Sequence, residues 1–188
     1  MIKNKNDLKR CLAMDKYALG INRKNPRLLG DEIWKFQITL RKHEYYHNCK
    51  HHSLINKFML CYYKFKHHIL GIKLGFSIPI NVFDGGLKIN HYGYIVVNPN
   101  AKIGCYCDIH QGVNIGTQGG GGPIIGDNVW IGPGAKLFGP IVIADNCQIG
   151  ANAVVNKSFE EKGISIAGVP AKKISNHPNP YKRNFLLD

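Results

Sequence analysis

From Val97 to Val155 the chain repeats a small and apolar pattern every six residues, and that period constrains every other reading of it. Cut into sixes the segment runs VNPNAK, IGCYCD, IHQGVN and IGTQGG, then, after four extra residues, IGDNVW, IGPGAK, LFGPIV, IADNCQ and IGANAV. An aliphatic residue opens each unit, and in most of them a small or apolar residue follows four positions later. Each six is therefore one short strand with its turn, and three strands make a triangular coil. One coil cannot bury its apolar edge alone, so coils stack into a continuous core. The openers Val97, Ile103, Ile109, Ile115, Ile125, Ile131, Ile143 and Ile149 are expected to point inward in columns. A Rossmann arrangement fails because no helix-length segment interrupts the sixes. An antiparallel sheet fails because it needs alternation of period two and hairpin signals.

The net charge of +13 is placed unevenly. Residues 1–75 hold 16 Lys and Arg against 5 Asp and Glu, whereas residues 76–168 hold 5 against 6. The basic surface belongs to the N-terminal segment and the last residues, and the repeat array is nearly neutral. No nucleic-acid motif or basic aromatic platform accompanies it, so nucleic acid is not the expected partner. An anionic cofactor, an anionic glycan or a membrane surface would use the same charge. No run of about 18 uncharged apolar residues is present, and MIKNKNDLKR lacks the apolar block of a secretory signal. A cytoplasmic protein is expected.

Three parts follow along the chain: 1–75 helical, 76–174 the array, 175–188 a loosely held tail. Asp7 is expected to cap a first helix, LKRCLAMDKYALG. A second, DEIWKFQITLRKHEYYHNC, opens on Asp31 and Glu32, which suit a helix N-terminus. A third, LINKFMLCYYKFKHHILGIKLG, mixes apolar residues with lysines. The helices are expected to cover the first coil, whose unpaired strands would otherwise invite aggregation. Ahead of Val97, FDGGLK fits one six with Phe83 and Leu87 inward, and INHYGY opens another, with two residues inserted. After Val155, GISIAGVPAKKI reads as a last strand and a turn at Pro170.

Cys11, Cys49, Cys61, Cys105, Cys107 and Cys147 lack metal-ligand spacing and are expected to be reduced, buried small hydrophobes. His43, His47, His51, His52, His67 and His68 crowd the helical third, but no carboxylate or cysteine set completes a site. They are read as solvated helix-face residues, and no metal is expected.

The stretches INHYGYIVVNPNAKIG, IHQGVNIGT, IGDNVWIGPGAKLFGPIVI, IGANAVVNKS and AGVPAKKI, in that order, resemble the hexapeptide-repeat acyltransferases. Within them they are similar to the serine acetyltransferase branch, and there to members found with capsule and lipopolysaccharide genes. The resemblance covers about residues 76–174. It implies a mainly β fold, a left-handed parallel β-helix, with a helical N-terminal extension, a homotrimer, and acetyl transfer from acetyl-CoA to a hydroxyl. It places His91 at the family's catalytic histidine. An alcohol attacking a thioester needs a group that takes its proton as the bond forms, and imidazole changes charge nearest neutral pH. The six opening at Ile89 stacks on the one opening at Ile109, so Gln111 falls one coil from His91. His110 sits at the corner before it, as a supporting or acceptor-binding residue or a surface one. By the resemblance, Gly116, Gly134, Ala135, Ala153 and Lys157 line a pantetheine channel between subunits, and Lys172 and Lys173 approach the phosphates.

Two departures bear on the acceptor. Where serine acetyltransferases carry an acid immediately before the catalytic histidine, this chain has Asn90; for the separate acid that orients the base's imidazole, Asp84 and Asp108 are the candidates by proximity. Their loop that brings a second histidine and an arginine to hold serine's carboxylate is here TQGGGGPI, residues 117–124, with no cation. A free amino acid needs its charges matched. The sequence therefore favours a sugar hydroxyl of a surface polysaccharide or its precursor over L-serine. No Cys or Ser falls beside His91 in the register, which favours direct transfer over an acyl-enzyme. A non-catalytic β-helix scaffold is the reading of a different class.

Overall fold

The structure, a computed structural model, describes residues 1–49 and 53–179. His51 and His52 lie outside the described residues, as do residues 180–188 of the tail. Three sheets form the faces of a stacked prism. The first takes Phe76–Ser77, Ile95–Val97, Asn114–Gly116, Lys136–Phe138 and Val154–Val155. The second takes Lys102–Ile103, Ile124–Ile125 and Val142–Ile143, extended by the bridges of Phe83 to Ile103 and Ile143 to Phe159. The third takes Lys88–Ile89, Asp108–Ile109, Trp130–Ile131, Gln148–Ile149, Ser165–Ala167 and Lys172–Ser175.

Pairing within the coils is parallel and in register, Ile89 on Ile109 on Ile131 on Ile149. A parallel stack superposes equivalent positions, so the openers form continuous inward columns and all of them are buried. The residues four later, Ala101, Cys107, Val113, Val129, Ala135, Ile141, Cys147 and Ala153, are buried as well and fill the corners. The last strand, Lys172–Ser175, departs from the expected single strand and turn. It runs antiparallel to Ser165–Ala167 and blocks the open edge of the third sheet.

Three helices cover the other end: α1 (Lys5–Ala18), α2 (Glu32–Asn48) and α3 (Leu54–Leu74). Asn4, not Asp7, caps α1, its side chain accepting from the backbone N–H of Asn6 and Asp7. Asp7 instead reaches back to the N–H of Lys3. Asp31 makes no cap bond on α2. Its carboxylate accepts from Arg23 and from the backbone N–H of Arg27, tying down the preceding loop.

A buried ion cluster fastens the helices to the first coil. The Arg41 guanidinium, 1% exposed, bonds the Asp15 carboxylate at 2.8 and 3.1 Å, Glu44 at 3.1 Å, and the carbonyls of Phe83 and Asp84 at 2.7 and 2.6 Å. Asp15 in turn accepts from the N–H groups of Gly86 and Leu87. Burial opposes the charge on Arg41, and the two carboxylates outweigh it, holding its pKa above the usual guanidinium range. The same burial pushes the neighbouring Cys11 thiol up to about 11.

Several side chains depart from the sequence expectation. Cys11, Cys107 and Cys147 are buried, but Cys61 is exposed and Cys49 and Cys105 are only partly covered. His47 and His68 are exposed. His43 and His67 are largely withdrawn from solvent: their Nδ1 atoms meet at 3.1 Å between α2 and α3, and desolvation lowers both pKa values to about 4. The described part of the tail is held: Gln148 and Ser165 donate to the carbonyls of His177 and Pro178, and buried Asn179 donates to Asn128.

Candidate active site

His91 follows the strand Lys88–Ile89 and opens the bend that carries the two-residue insertion. The bend is pinned from both sides. Gly93 N–H donates to the Leu74 carbonyl and Ile95 N–H to that of Gly75, so the C-terminus of α3 sets its path. Gly75 adopts φ +78, and a Cβ there would meet the Gly93 carbonyl carbon at 3.2 Å, so a left-handed residue without a side chain is required. On the other side Gly112 N–H donates to Tyr94 O. The His91 side chain is exposed on the protomer surface. A cleft of about 530 Å³ lies beyond the bend, lined by His43, His67, Gly75, Phe76, Tyr94 and Val96; His91 is not part of it.

The parallel register assembles the neighbours of His91. Lys88, Asp108 and Trp130 stand side by side, and Asn90 and His110 follow in adjacent coils. Asp108 is buried; it takes Lys88 Nζ at 3.1 Å and the Asn90 amide, and lies 3.6 Å from His110 Nε2, close enough for Coulomb attraction but too long for a hydrogen bond. The His110 ring tilts over Trp130 at 4.9 Å and faces His91 at 6.1 Å between centroids. Burial lowers the His110 pKa, with Asp108 pulling the other way and His91 and Lys88 adding to the fall, so the ring is held toward its neutral form. Two polar atoms of this group, His110 Nε2 and Gln111 Oε1, are buried with no hydrogen-bond partner among the described residues. Buried polar atoms are normally paired, which sets these two apart from most of the buried polar groups around them.

The structure separates the other expected residues. Asp84 is not at His91: its carboxylate takes the Met1 amino group at 2.9 Å, in a separate surface pocket with Lys102 and Asp127. Asp108 is the acid of the patch, and it serves Lys88, Asn90 and His110. Ala135 and Ala153 are fully buried corner residues whose methyl groups face the core. Their N–H groups and carbonyls are engaged in coil-to-coil and turn bonds. Gly116 and Gly134 lie at the partly exposed surface, and Lys157 is exposed with its Nζ 5.4 Å above the Phe159 ring. Lys173 is paired with both oxygens of Glu161, at 2.7 and 2.6 Å, and Lys172 is exposed. Lys88 and Trp130 were not singled out from the sequence, although the offset that puts Gln111 beside His91 also puts them beside Asp108. Among the described residues no group of three or more His, Cys, Asp or Glu is placed to hold a metal ion.

Known proteins resemble this chain in both sequence and fold. Residues 122–157 match the model for bacterial transferase hexapeptide repeats, six repeats. The chain is 39% identical over 107 residues to a serine acetyltransferase of Mycobacterium tuberculosis, covering 54% of this chain and 46% of that protein. It is 36% identical to one of Helicobacter pylori strain J99, covering 48% and 54%. The chain thus spans about half the length of the curated relatives it matches. Among solved structures, a serine acetyltransferase from Brucella abortus strain S19 superposes with a TM-score of 0.71 at 24% identity, covering 93% of this chain and 72% of that one. One from Neisseria gonorrhoeae gives 0.66 at 26% identity, covering 91% and 67%. These superpositions extend over the helical region as well as the repeats. The capsule-associated branch expected from the sequence has no support among these relatives, which are all named serine acetyltransferases.

Proposed function

We propose that this chain is an O-acetyltransferase that moves an acetyl group from acetyl-CoA to a hydroxyl, with His91 as the general base. One observation carries the assignment: the exposed His91 ring shares a patch with the neutral-leaning His110 ring, whose Nε2, with Gln111 Oε1, is buried and unpartnered. In the transfer, His91 takes the acceptor O–H proton while the oxygen attacks the thioester carbonyl carbon. The tetrahedral adduct then collapses, the carbon–sulfur bond breaks, and the CoA sulfur leaves with a proton. His110 and Gln111, partly exposed beside His91 in the stack, are the residues suited to border the acceptor, and Asp108 and Trp130 flank the His110 ring. Gly116, Gly134, Lys157 and Lys172 are the outer-surface residues left for acetyl-CoA, once the buried alanines and the paired Lys173 are set aside. A trimer would set these surfaces against a neighbouring copy.

L-serine is the acceptor favoured by the names of the relatives, which reverses the preference drawn from sequence. A sugar hydroxyl is the second reading. Its support is the loop 117–124, which offers no cation to a carboxylate, and Lys88, which is already committed to Asp108.

The test is release of free thiol from acetyl-CoA by the purified protein with L-serine or with simple sugars as acceptors. The His91→Ala variant is expected to lose roughly two to four orders of magnitude in turnover while keeping its fold and assembly. Full turnover in that variant would remove His91 as base. Failure of acetyl-CoA to bind in calorimetry would leave the scaffold reading standing. Faster release with serine than with any sugar supports the first acceptor, and the reverse supports the second.

A further inference from the structure

Helix α3 carries more apolar surface than its packing uses. Its inner side is Tyr63, Gly71 and Leu74, with partly covered residues between them. Its outer side is also apolar: Leu54, Ile55, Phe58, Phe65, Ile69 and Ile72 recur at helical spacing, and Phe58, Phe65 and Ile72 are 71, 67 and 67% exposed. This is a continuous stripe along most of a 21-residue helix. At 100° per residue, Lys57 and Lys64 fall along one flank of the stripe, and Lys66 and Lys73 along the other. No acidic residue occurs anywhere between Glu44 and Asp84.

We propose that the outward face of α3 rests on a membrane surface bearing anionic lipid headgroups, with Phe58, Phe65 and Ile72 entering the acyl boundary and the flanking lysines meeting the phosphates. The choice of occupant follows from the charge. A second copy laid against this face would set lysine rows beside lysine rows, with no carboxylate on either helix to answer them. A bilayer supplies both an apolar layer and negative charge at the depth the stripe and its flanks require. The helix lies on the surface and does not cross it, for among the described residues no helix is long and apolar enough to span a membrane. This inference does not use the acetyl-transfer chemistry: the C-terminal end of the stripe, Ile72, borders the cleft beyond the His91 bend, but none of its residues belongs to the His91, His110 and Asp108 group, so either can fail alone.

The experiment is co-sedimentation of the full chain with vesicles of phosphatidylcholine alone and of phosphatidylcholine with roughly one-third phosphatidylglycerol, at low and high salt. Binding to the anionic vesicles, absent with the neutral ones and weakened by salt, is expected. A Phe58→Ser, Phe65→Ser, Ile72→Ser variant is expected to lower the bound fraction by more than roughly tenfold. A Lys57→Glu, Lys64→Glu, Lys66→Glu, Lys73→Glu variant is expected to abolish it. All of these side chains lie at the helix surface, and circular dichroism verifies that both variants fold. The proposal is overturned if the wild-type chain sediments equally with and without anionic vesicles, or if the serine variant binds as well as wild type. It is also overturned if that variant only splits a larger assembly in vesicle-free sedimentation velocity, which would make the face a contact between copies.

Discussion

Replacing Arg41 with alanine would test how the helical region is joined to the β-helix. The guanidinium uses all five N–H groups: on Asp15, on Glu44, and on the carbonyls of Phe83 and Asp84 at the start of the first coil. Removing it leaves two carboxylates that are each 2% exposed without their cation, and two carbonyls without a donor. Breaking a buried pair from one side costs about 3–5 kcal/mol, because the desolvation of the remaining partner is no longer offset. For a domain of this size that lowers Tm by roughly 6–20 °C. Urea unfolding followed by circular dichroism measures it, together with Arg41→Lys, which keeps the charge but not the planar fork and is expected to fall between the two. In the double variant Arg41→Ala, Asp15→Ala the losses should add to less than their sum, by about 0.5–3 kcal/mol. A loss below about 1 kcal/mol for Arg41→Ala would refute the account of this cluster as the fastening between helices and coil.

Two further outcomes are expected. His43 and His67 have pKa values near 4 in the folded chain against an ordinary 6.5, so the unfolded chain binds protons between those values and the folded one does not. Their contribution is complete above pH 6.5 and is lost as pH falls toward 4; a His43→Gln, His67→Gln variant should show a flatter decline over that window in urea titrations, and an unchanged slope would refute the pairing. Gly75→Ala puts a side chain at φ +78 and against Gly93; it should cost about 1–2 kcal/mol by strain alone. The same change should lower turnover by displacing the bend that carries His91, and wild-type activity would show that α3 does not set that bend.

What the sequence disclosed, and what it withheld, follows from how each contact is generated. In a parallel stack, neighbours across coils lie at fixed offsets along the chain, so Ile89, Ile109 and Ile131 could be aligned by counting, and Gln111 placed beside His91. The same counting reaches Lys88 and Trp130. Contacts set by helix rotation leave no such trace. Nothing in the spacing of His43 and His67 announces that their rings meet across two helices, nor that Arg41 and Asp15 would share a buried site. The α3 pattern was legible as amphipathic, but the sequence could not say that an apolar side faces outward, because both sides carry apolar residues. Surface ion pairs were equally hidden: the coil sets Asp84 on another face, where it takes the Met1 amino group, and Glu161 takes Lys173.

The antiparallel strand Lys172–Ser175 and the helices at the opposite end make the two tips of the prism unlike each other and unlike its middle. Between those stoppers the storeys share one outline apart from the loop 117–124 and the His91 bend, since each hands the next the same triangle of backbone groups. Height is thus a free variable of this architecture: evolution or an engineer can add or delete a whole storey midway, changing the length of the flank offered to a ligand while leaving both closures and the His91 corner as they stand.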